Sequence, residues 1–574
     1  MRLSHLVLSI YSVWVAFTGV ASAAQVTITR GQKAQTIDGF GFFGAHDVWW
    51  GKPEDMVNAD WVDAVFDDLG ITIWRSEIYP PADSIAAQDA DWPKQKPIVQ
   101  AMAAKAKATG VPLKIILTVW SPPSSMKCTV GTNGVVDGSP HPGGTNNGGG
   151  LCPSKRKDYA NYLVAALKPY ADLGIDVYAL SFQNEPLFVE QYNSCVYTQK
   201  EYADTLAVIG PIVHATYPNL KLFGSENMLA MEAGGSNGFD PYWYTANIMK
   251  SEAALAQLGI LAVHGYSDGV LATPASKMSK LWASFYAGTV STRLPIWMTE
   301  TSGYVDTIEG NGTLPGALDL AQSIYAALYH GHLSGWVWWQ GSELGSSAPN
   351  EYNLMSGTTK RGKKYYVSKQ FYRYIRPGAQ MVQVSSDDPE VLIAAFEHPT
   401  TNAFTVIAIN AGTAGKTATL TGAGLPAEFQ AYRTSTSENC ANLGTVTPNS
   451  LTLPARSITT LVNGKVVESP TGAGGAVATG GVRANGGAVA TGGARANGGA
   501  VSTGGAMAVG GVVATGGATA VGGDPATGGA ATGGTVSTSK GGGCGCSVGA
   551  PPWIGQPWAL AIVLAGVFFL RRRH

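Results

Sequence analysis

Short apolar runs alternate with amphipathic stretches from Gln25 to Gly464, and this alternation limits the possible folds more than any other feature of the chain. A strand followed by a helix, repeated, is typical of an α/β fold with a parallel sheet. The strand-like runs are residues 39–43, 71–78, 113–119, 177–182, 221–224, 260–264, 296–299 and 335–339. The helix-like stretches are residues 97–109, 156–171, 200–216, 317–329 and 365–374. Eight strands within residues 37–376 predict a (β/α)8 TIM barrel.

The pattern changes after Pro377, where apolar runs become short, alternating and separated by turn residues. This pattern is typical of a β-sandwich. The runs are residues 382–384, 391–396, 404–410, 417–420, 430–434 and 458–462. Residues 26–29 precede the barrel and are predicted to add a strand to the same unit. We therefore assign residues 24–36 and 377–466 to a side β-domain.

Residues 1–23 are predicted to form a secretory signal peptide. Arg2 precedes an uncharged and mainly apolar stretch, and Ala21-Ser22-Ala23 fits a small-x-small cleavage site. An uncleaved membrane helix is the alternative, and the shortness of the apolar stretch disfavours it. We expect an exported protein, in a compartment that permits disulfide bonds.

The chain has six cysteines, and the four in the folded region allow three pairings. We favour a bond between Cys128 and Cys152, because both lie at the edges of one Gly- and Asn-rich loop. The pairing of Cys195 and Cys440 stays open. The cysteines lack the spacing of zinc ligands, so no metal site is predicted.

The C-terminal part of the chain changes in composition at about residue 467. Residues 467–543 repeat small Gly-rich units with almost no large apolar side chains, which predicts a flexible linker, with a repetitive β-solenoid as the alternative. Residues 544–574 contain two cysteines, an uncharged stretch and three terminal arginines, which predicts a short transmembrane segment with a cytoplasmic end. This segment resembles the sorting segments of myxobacterial surface proteins. The resemblance implies a cell-surface (outer-membrane) location, or an extracellular one after processing; a permanent anchor is the alternative.

The charge balance excludes some partners. Lys and Arg number 38 and Asp and Glu number 39, so the net charge of −1 provides no field for nucleic acid. Gly39 to Gly44 matches G-x-G-x-x-G, but bulky aromatic residues follow where a dinucleotide site needs a helix. We expect a neutral partner, no cofactor and a monomeric chain.

Two glutamates end predicted barrel strands, the position where such barrels place catalytic groups. Glu185 closes the run that ends in Gln183-Asn184-Glu185-Pro186, and Glu300 closes Ile296-Trp297-Met298-Thr299-Glu300. Hydrolysis of a glycosidic bond needs two carboxyl groups, one that protonates the leaving oxygen and one that attacks the anomeric carbon or activates water. A glutamate that merely forms a salt bridge at a strand end is the alternative for each one alone. The pair predicts a glycoside hydrolase.

Several further motifs occur in a fixed order along the chain. They are Gly39-Phe40-Gly41, Trp120-Ser121-Pro122-Pro123, Asn184-Glu185-Pro186, His264-Gly265-Tyr266, Arg361-Gly362 and Arg376-Pro377-Gly378. Together with Glu300 they resemble glycoside hydrolase family 30, over roughly residues 25–464. The resemblance implies a barrel with a side β-sandwich and a retaining, double-displacement mechanism. It also implies that Glu185 is the acid/base and Glu300 the nucleophile.

Four polar residues are predicted to support this pair. Arg75 ends the second strand, where a guanidinium near Glu300 would keep the nucleophile ionised, with a structural ion pair as the alternative. Asn184 can bind the sugar 2-hydroxyl, and Tyr266 can orient Glu300. His264 lines the same strand face as Tyr266, with a core histidine as the alternative.

Three aromatic residues are predicted to bind the sugar. Trp120 and Trp339 end the third and eighth strands and can form the wall and floor of the subsite. Phe188 follows Glu185 and can stack beyond the cleavage point.

Within the family, the motif around Arg376 is most similar to bacterial xylanases. Glucuronate-dependent members carry arginine in the loop after the strand-eight tryptophans, whereas residues 338–344 contain Glu343 and no arginine. An acidic residue there would repel a uronate, so we predict a xylanase without strict glucuronate dependence. A β-1,6-glucanase or another family 30 specificity is the enzymatic alternative, and an inactive surface carbohydrate-binding module is the alternative of another class.

Overall fold

The computed structural model describes residues 23–44, 56–80, 88–131, 134–235, 238–266, 268–343 and 346–465. These residues belong to the first of two structural units of the chain, Met1–Val477. Apart from Ala23, the predicted signal peptide lies outside them, as do the predicted linker and the C-terminal segment. Within the described ranges, no helix combines the length and the apolar character needed to cross a membrane.

Of the strands up to residue 361, β1 belongs to the side domain and the others belong to the barrel and to its loops. They are β1 (Ala24–Thr36), β2 (Gly39–Phe43), β3 (Ile73–Glu77), β4 (Lys114–Thr118), β5 (Lys127–Val130), β6 (Val136–Pro140), β7 (Gly150–Leu151), β8 (Val177–Ser181), β9 (Lys221–Met228), β10 (Leu258–His264), β11 (Ile296–Glu300), β12 (Leu333–Trp339), β13 (Ser342–Glu343), β14 (Met355–Ser356) and β15 (Lys360–Arg361).

The later strands belong to the side domain. They are β16 (Gln380–Ser386), β17 (Val391–Glu397), β18 (Phe404–Asn410), β19 (Lys416–Thr421), β20 (Phe429–Thr434), β21 (Ala441–Val446), β22 (Leu451–Leu453) and β23 (Ser457–Asn463).

The α-helices lie mainly between the barrel strands. They are α1 (Ala59–Asp63), α2 (Gln88–Thr109), α3 (Arg156–Asp172), α4 (Gln199–Thr216), α5 (Leu229–Glu232), α6 (Tyr244–Lys250), α7 (Glu252–Leu255), α8 (Lys277–Thr289), α9 (Ala317–His330) and α10 (Lys363–Tyr372). A π-helix, Ala64–Leu69, continues α1.

Eight parallel strands close into a barrel in the order β2-β3-β4-β8-β9-β10-β11-β12, which confirms the predicted (β/α)8 fold. Seven of these strands contribute to an apolar interior formed by Ile73, Ile116, Ala179, Phe223, Ile260, Ala262, Trp297 and Val337. Their sequence neighbours, such as Trp74 and Met298, face the outer core beneath the helices. The strands are therefore buried on both faces, which explains their nearly continuous apolar sequences.

Two barrel strands contain a β-bulge near their carboxyl ends. Against β10, the pairing passes from Ser225 directly to Asn227, so Glu226 is the extra residue of β9. The pairing of β11 similarly skips Thr299 before Glu300. A bulge turns the following side chain towards the opposite face of a strand, and bulges often lie beside active sites. The strand predicted at residues 221–224 extends through this bulge to Met228.

The side domain is one sheet of nine strands, in the order β21-β20-β23-β18-β17-β16-β1-β19-β22. The N-terminal strand β1 lies inside it, antiparallel to β16 and parallel to β19. The end of the sheet that carries β22 lies beside β18. There the side-chain amide of Asn410, on β18, donates to the Leu453 carbonyl, on β22, at 2.9 Å. A sandwich was predicted; the described strands form one continuous sheet around a shared apolar core.

The segment after β4 that contains β5, β6 and β7 forms a separate three-stranded sheet, which we call the arm. The disulfide bond between Cys128 and Cys152 closes it, as predicted. Cys195 and Cys440 are free thiols, so the pairing that stayed open does not form. The arm packs on the loop after β8, where Asn147 donates its amide to the Glu190 carbonyl at 2.8 Å.

Candidate active site

The predicted site residues lie at the carboxyl ends of the barrel strands. Arg75 lies on β3, His264 ends β10, Glu300 ends β11 and Trp339 ends β12. Trp120, Asn184, Glu185 and Phe188 lie on the loops that follow β4 and β8, and Tyr266 lies just after β10. Side-chain contacts join these residues in one cluster, with the exception of Phe188. Phe188 is half-buried on its loop and donates its backbone amide to the Glu185 carbonyl at 3.1 Å.

The two glutamates meet across the barrel. One carboxylate oxygen of Glu185, one ring nitrogen of His264 and one carboxylate oxygen of Glu300 all lie within 4.8 Å of one another. Retaining glycosidases typically hold their two carboxyl groups about 5–5.5 Å apart, and inverting ones about 6.5–9.5 Å apart. This close approach of one oxygen from each carboxylate fits the shorter spacing of retaining sites better than the longer spacing of inverting ones.

The turn that carries Glu185 is fixed by the neighbouring loop. The amide of Asn184 donates to the Val119 carbonyl at 2.7 Å, and the side chain of Gln183 donates to the Trp120 carbonyl at 2.8 Å. Glu185 has a φ of +43°, in the left-handed region that side chains other than glycine seldom occupy. Such conformations persist where surrounding contacts enforce them, and they concentrate at functional sites.

Each carboxylate oxygen of Glu300 accepts a hydrogen bond. Arg75 Nη1 donates to Oε2 and the Tyr266 hydroxyl donates to Oε1. Both contacts stabilise negative charge on this carboxylate. Only 8% of the Glu300 side chain is exposed, so solvent screens these contacts weakly.

The guanidinium of Arg75 is fully buried and connects several site residues. Its Nη2 donates to Asn184 Oδ1 at 2.9 Å, and its Nε donates to Thr118 Oγ1 at 3.3 Å. Burial alone would lower the pKa of Arg75, but the charges of Glu226 and Glu300 raise it. Because Oδ1 of Asn184 is bound to Arg75, the Nδ2 of this amide is the group that can donate to a sugar hydroxyl.

Glu185 has the environment of a general acid. Burial raises its pKa, the hydrogen bond and charge of His264 oppose that rise, and the negative charge of Glu300 adds to it. The carboxyl group thus favours the protonated state more than an exposed glutamate does. A raised pKa is what a proton donor needs near neutral pH.

His264 is fully buried between two carboxylates. Its Nδ1 lies 2.8 Å from Glu185 Oε1, and its Nε2 lies 3.3 Å from Glu226 Oε1. Burial lowers the pKa of His264, but Glu300, Glu185 and Glu226 raise it to about 9. These two carboxylate contacts favour the imidazolium form, in which both ring N–H groups can donate.

His264, Glu185 and Glu300 are also the described residues whose spacing would fit a metal ion. A metal-bound histidine must be neutral. This ring instead donates from both nitrogens, and the buried charge of Arg75 would repel a cation. These contacts favour a hydrogen-bonded site over a metal site.

Aromatic rings form the apolar wall of the site. Phe43 stacks on Trp339 with ring centroids 4.3 Å apart and meets Trp120 edge-on at 5.6 Å. The Arg75 guanidinium lies 5.0 Å from the Trp120 ring centroid. Sequence reasoning missed Phe43, although the close Phe40-Gly41-Phe42-Phe43 run at a strand end was the available signal.

The sequence reasoning also missed Glu226. Its side chain is fully buried, and its Oε1 accepts from Arg75 Nη2 at 3.0 Å and from His264. Polar residues directly after the apolar strand at residues 221–224 were the available signal, because the same pattern identified Glu185.

Glu343 lies on β13, in the loop predicted to read the substrate. Its Oε2 accepts from the side-chain amides of Asn350 at 2.8 Å and Asn353 at 3.2 Å. Neutral amides orient the carboxylate without cancelling its charge.

Residues 83–347 match the model of the glycosyl hydrolase family 30 TIM-barrel domain. The chain contains a family 30 barrel. This confirms the family predicted for the barrel and implies a glycosidase. The likeness to myxobacterial sorting segments stays a prediction.

Known relatives match this chain over very different lengths. Glucuronoxylanase XynC of Bacillus subtilis (strain 168) is 25% identical over 457 residues, covering 78% of this chain and 93% of that protein. The family 30 subfamily 8 xylanase Xyn30A of Clostridium acetobutylicum has a TM-score of 0.58 and 25% identity, covering 76% of this chain and 99% of that one. Endo-1,6-β-D-glucanase neg1 of Aspergillus fumigatus is 37% identical over 92 residues, covering 15% of this chain and 18% of that protein.

Proposed function

We propose that the protein is a retaining endo-β-1,4-xylanase that does not strictly depend on glucuronate side chains. The observation that carries the proposal is a pair of glutamates at one end of the barrel, with one carboxylate oxygen of each within 4.8 Å of the other. Their different environments support different roles, since Glu185 has a raised pKa and Glu300 holds two donors.

The reaction proceeds in two displacements. Glu300 attacks the anomeric carbon while Glu185 gives its proton to the leaving glycosidic oxygen, which yields a covalent glycosyl-enzyme. Glu185, now a carboxylate, then removes a proton from water, and that water releases the sugar from Glu300. Asn184 Nδ2 donates to the sugar 2-hydroxyl, and the rings of Phe43, Trp120 and Trp339 bind the apolar sugar face.

The preference for xylan rests on the relatives and on one loop. One relative described as a glucuronoxylanase and one described as a xylanase each match most of this chain at 25% identity. The negative charge of Glu343, oriented by two asparagine amides, disfavours a uronate in this loop. Undecorated xylan therefore fits this proposal better than an acidic substrate.

We further propose that the protein is exported and acts on polysaccharide at the cell surface, or outside the cell after processing. The predicted signal peptide, the Gly-rich linker and the C-terminal segment with its terminal arginines support this location. The linker would let a tethered catalytic unit reach an insoluble polymer.

Product analysis tests the function. The purified protein is incubated with glucuronoxylan, arabinoxylan, linear xylan and β-1,6-glucan, with Glu185→Gln and Glu300→Gln as controls. We expect short xylo-oligosaccharides from all three xylans and their loss in both variants. NMR of the first product should show retention of the β configuration. Cleavage of glucuronoxylan alone would contradict the proposed tolerance of undecorated chains, and an inverted first product would contradict the mechanism.

A β-1,6-glucanase is the second candidate, favoured by the 37% identity with the fungal endo-1,6-β-glucanase over 92 residues. Products from β-1,6-glucan alone would select it and retain both catalytic assignments. A folded protein that binds polymers without cleaving any of them would instead support a carbohydrate-binding role.

A further inference from the structure

Glu226 is a third carboxylate in the cluster that contains Glu185 and Glu300. Its side chain is fully buried, and a single oxygen, Oε1, accepts from Arg75 Nη2 at 3.0 Å and from His264 Nε2 at 3.3 Å. The residue is the bulge of β9 and has a φ of +59°. The backbone therefore adopts an unfavourable conformation that directs this carboxylate into the barrel.

Each cation that Glu226 binds also binds one catalytic carboxylate. Arg75 donates to Glu300, and His264 lies 2.8 Å from Glu185. Glu226 is thus connected to Glu300 through Arg75 and to Glu185 through His264. No other carboxylate described by the structure contacts both cations.

The charges around Glu226 nearly balance. Three carboxyl groups, those of Glu185, Glu226 and Glu300, face the two cations Arg75 and His264. Two phenols are also electrostatically coupled to this cluster: the charge of Glu226 contributes to the raised pKa of Tyr202, and Tyr266 interacts with Arg75. With Glu185 protonated for catalysis, two negative and two positive charges remain. A buried cation that loses its partner is left with an uncompensated charge, which is strongly destabilising.

We propose that Glu226 is a positioning residue that keeps Arg75 charged and oriented towards the nucleophile and keeps His264 charged and oriented towards the acid/base. It does so without contacting the sugar. This inference rests on the proposed roles of Glu185 and Glu300.

The proposal predicts a specific change in pH dependence. Without the carboxylate of Glu226, the imidazolium of His264 loses a partner and releases its proton at lower pH. Burial raises the pKa of Glu185 and the charge of His264 opposes that rise, so loss of the imidazolium charge raises the pKa of Glu185 further. Since Glu185 must be protonated for the first step, the basic limb of kcat/KM should move to higher pH.

The test compares Glu226→Gln with Glu232→Gln in the full-length chain. Glu232 is a matched control: it is fully buried, and its Oε1 and Oε2 accept from the Asn227 side chain at 2.8 Å and the Thr245 amide at 3.0 Å. Glu226→Asp, which retains the charge, serves as the conservative variant. Thermal unfolding monitored by circular dichroism identifies folded variants.

Two readouts apply to each variant. The first is the pH profile of kcat/KM on the best substrate. The second is the titration of His264 by NMR of ¹⁵N-histidine-labelled protein, assigned with His264→Gln. The second readout requires no substrate, so failure of the proposed function and failure of this inference remain distinguishable.

For Glu226→Gln we expect kcat/KM at the wild-type optimum to fall about 10- to 100-fold, part of the roughly 10²- to 10⁴-fold contribution of a general acid. Most of the loss should be in kcat, with the basic limb displaced upwards and the His264 titration displaced downwards. Glu226→Asp should recover part of both shifts. If Glu226→Gln and Glu232→Gln give the same His264 titration and the same basic limb, the proposal is overturned.

Discussion

Replacement of Tyr266 by phenylalanine removes one of the two donors that bind Glu300. The Tyr266 hydroxyl donates to Oε1, and Arg75 donates to Oε2. The substitution retains the ring and deletes a single oxygen. Charge on Glu300 is therefore stabilised by one donor instead of two.

The size of the effect follows from this contact. A hydrogen bond to a charged group contributes about 1.5–3 kcal/mol. Each 1.36 kcal/mol in the activation free energy changes a rate tenfold. Because Glu300 must carry its charge to attack the anomeric carbon, we expect kcat/KM to fall roughly tenfold to 150-fold.

Initial rates on the polymer selected by product analysis, measured across the pH range, provide the assay. Tyr304→Phe is a control that deletes the same oxygen elsewhere, because the buried Tyr304 hydroxyl lies 2.6 Å from Ser323 Oγ. It should cost about 0.5–1.5 kcal/mol in unfolding free energy and leave kcat/KM nearly unchanged. A loss below threefold in Tyr266→Phe, or an equal loss in both variants, would refute a role for Tyr266 at the nucleophile.

Two further predictions concern stability. The disulfide joins two cysteines separated by 24 residues, so Cys128→Ser combined with Cys152→Ser should destabilise the arm by about 3.5 kcal/mol. Limited proteolysis of this double variant should then cut within residues 124–153. Cys440→Ser, which removes a free thiol, is the control and should leave the cleavage pattern unchanged. The pKa of His264 is raised in the folded state from 6.5 to about 9, so its stabilising contribution is complete below pH 6.5 and is lost as the pH rises through 9. Urea unfolding at several pH values should show this decline in wild type and a smaller one in His264→Gln; equal declines would contradict the assignment.

Part of the candidate site could be predicted because catalytic groups in a barrel gather at the carboxyl ends of strands. Glu185 and Glu300 each follow an apolar run, and Arg75 shares the interior face of β3 with Ile73, two residues earlier. Strand alternation is a local property, so the sequence reports it directly. The closure of Cys128 with Cys152 was predictable for a similar reason, since both lie at the edges of one loop.

The bulges could not be predicted, because they break that alternation. Phe223 faces the barrel interior, so in a regular strand Glu226, three residues later, would face outwards. Trp297 also faces the interior, so Glu300 would likewise face outwards. The skipped residues in β9 and β11 reverse both directions. Whether a strand takes up an extra residue depends on hydrogen bonds with its neighbours, which are far away in the sequence.

The sequence by itself determined the barrel, the side domain and the two glutamates at strand ends, since burial periodicity and turn residues encode these features locally. The tertiary structure decided how far apart the glutamates lie, which cations hold them and that Glu226 joins those cations. Distances across a closed barrel depend on strand tilt, register and closure, and these arise only when all eight strands pair.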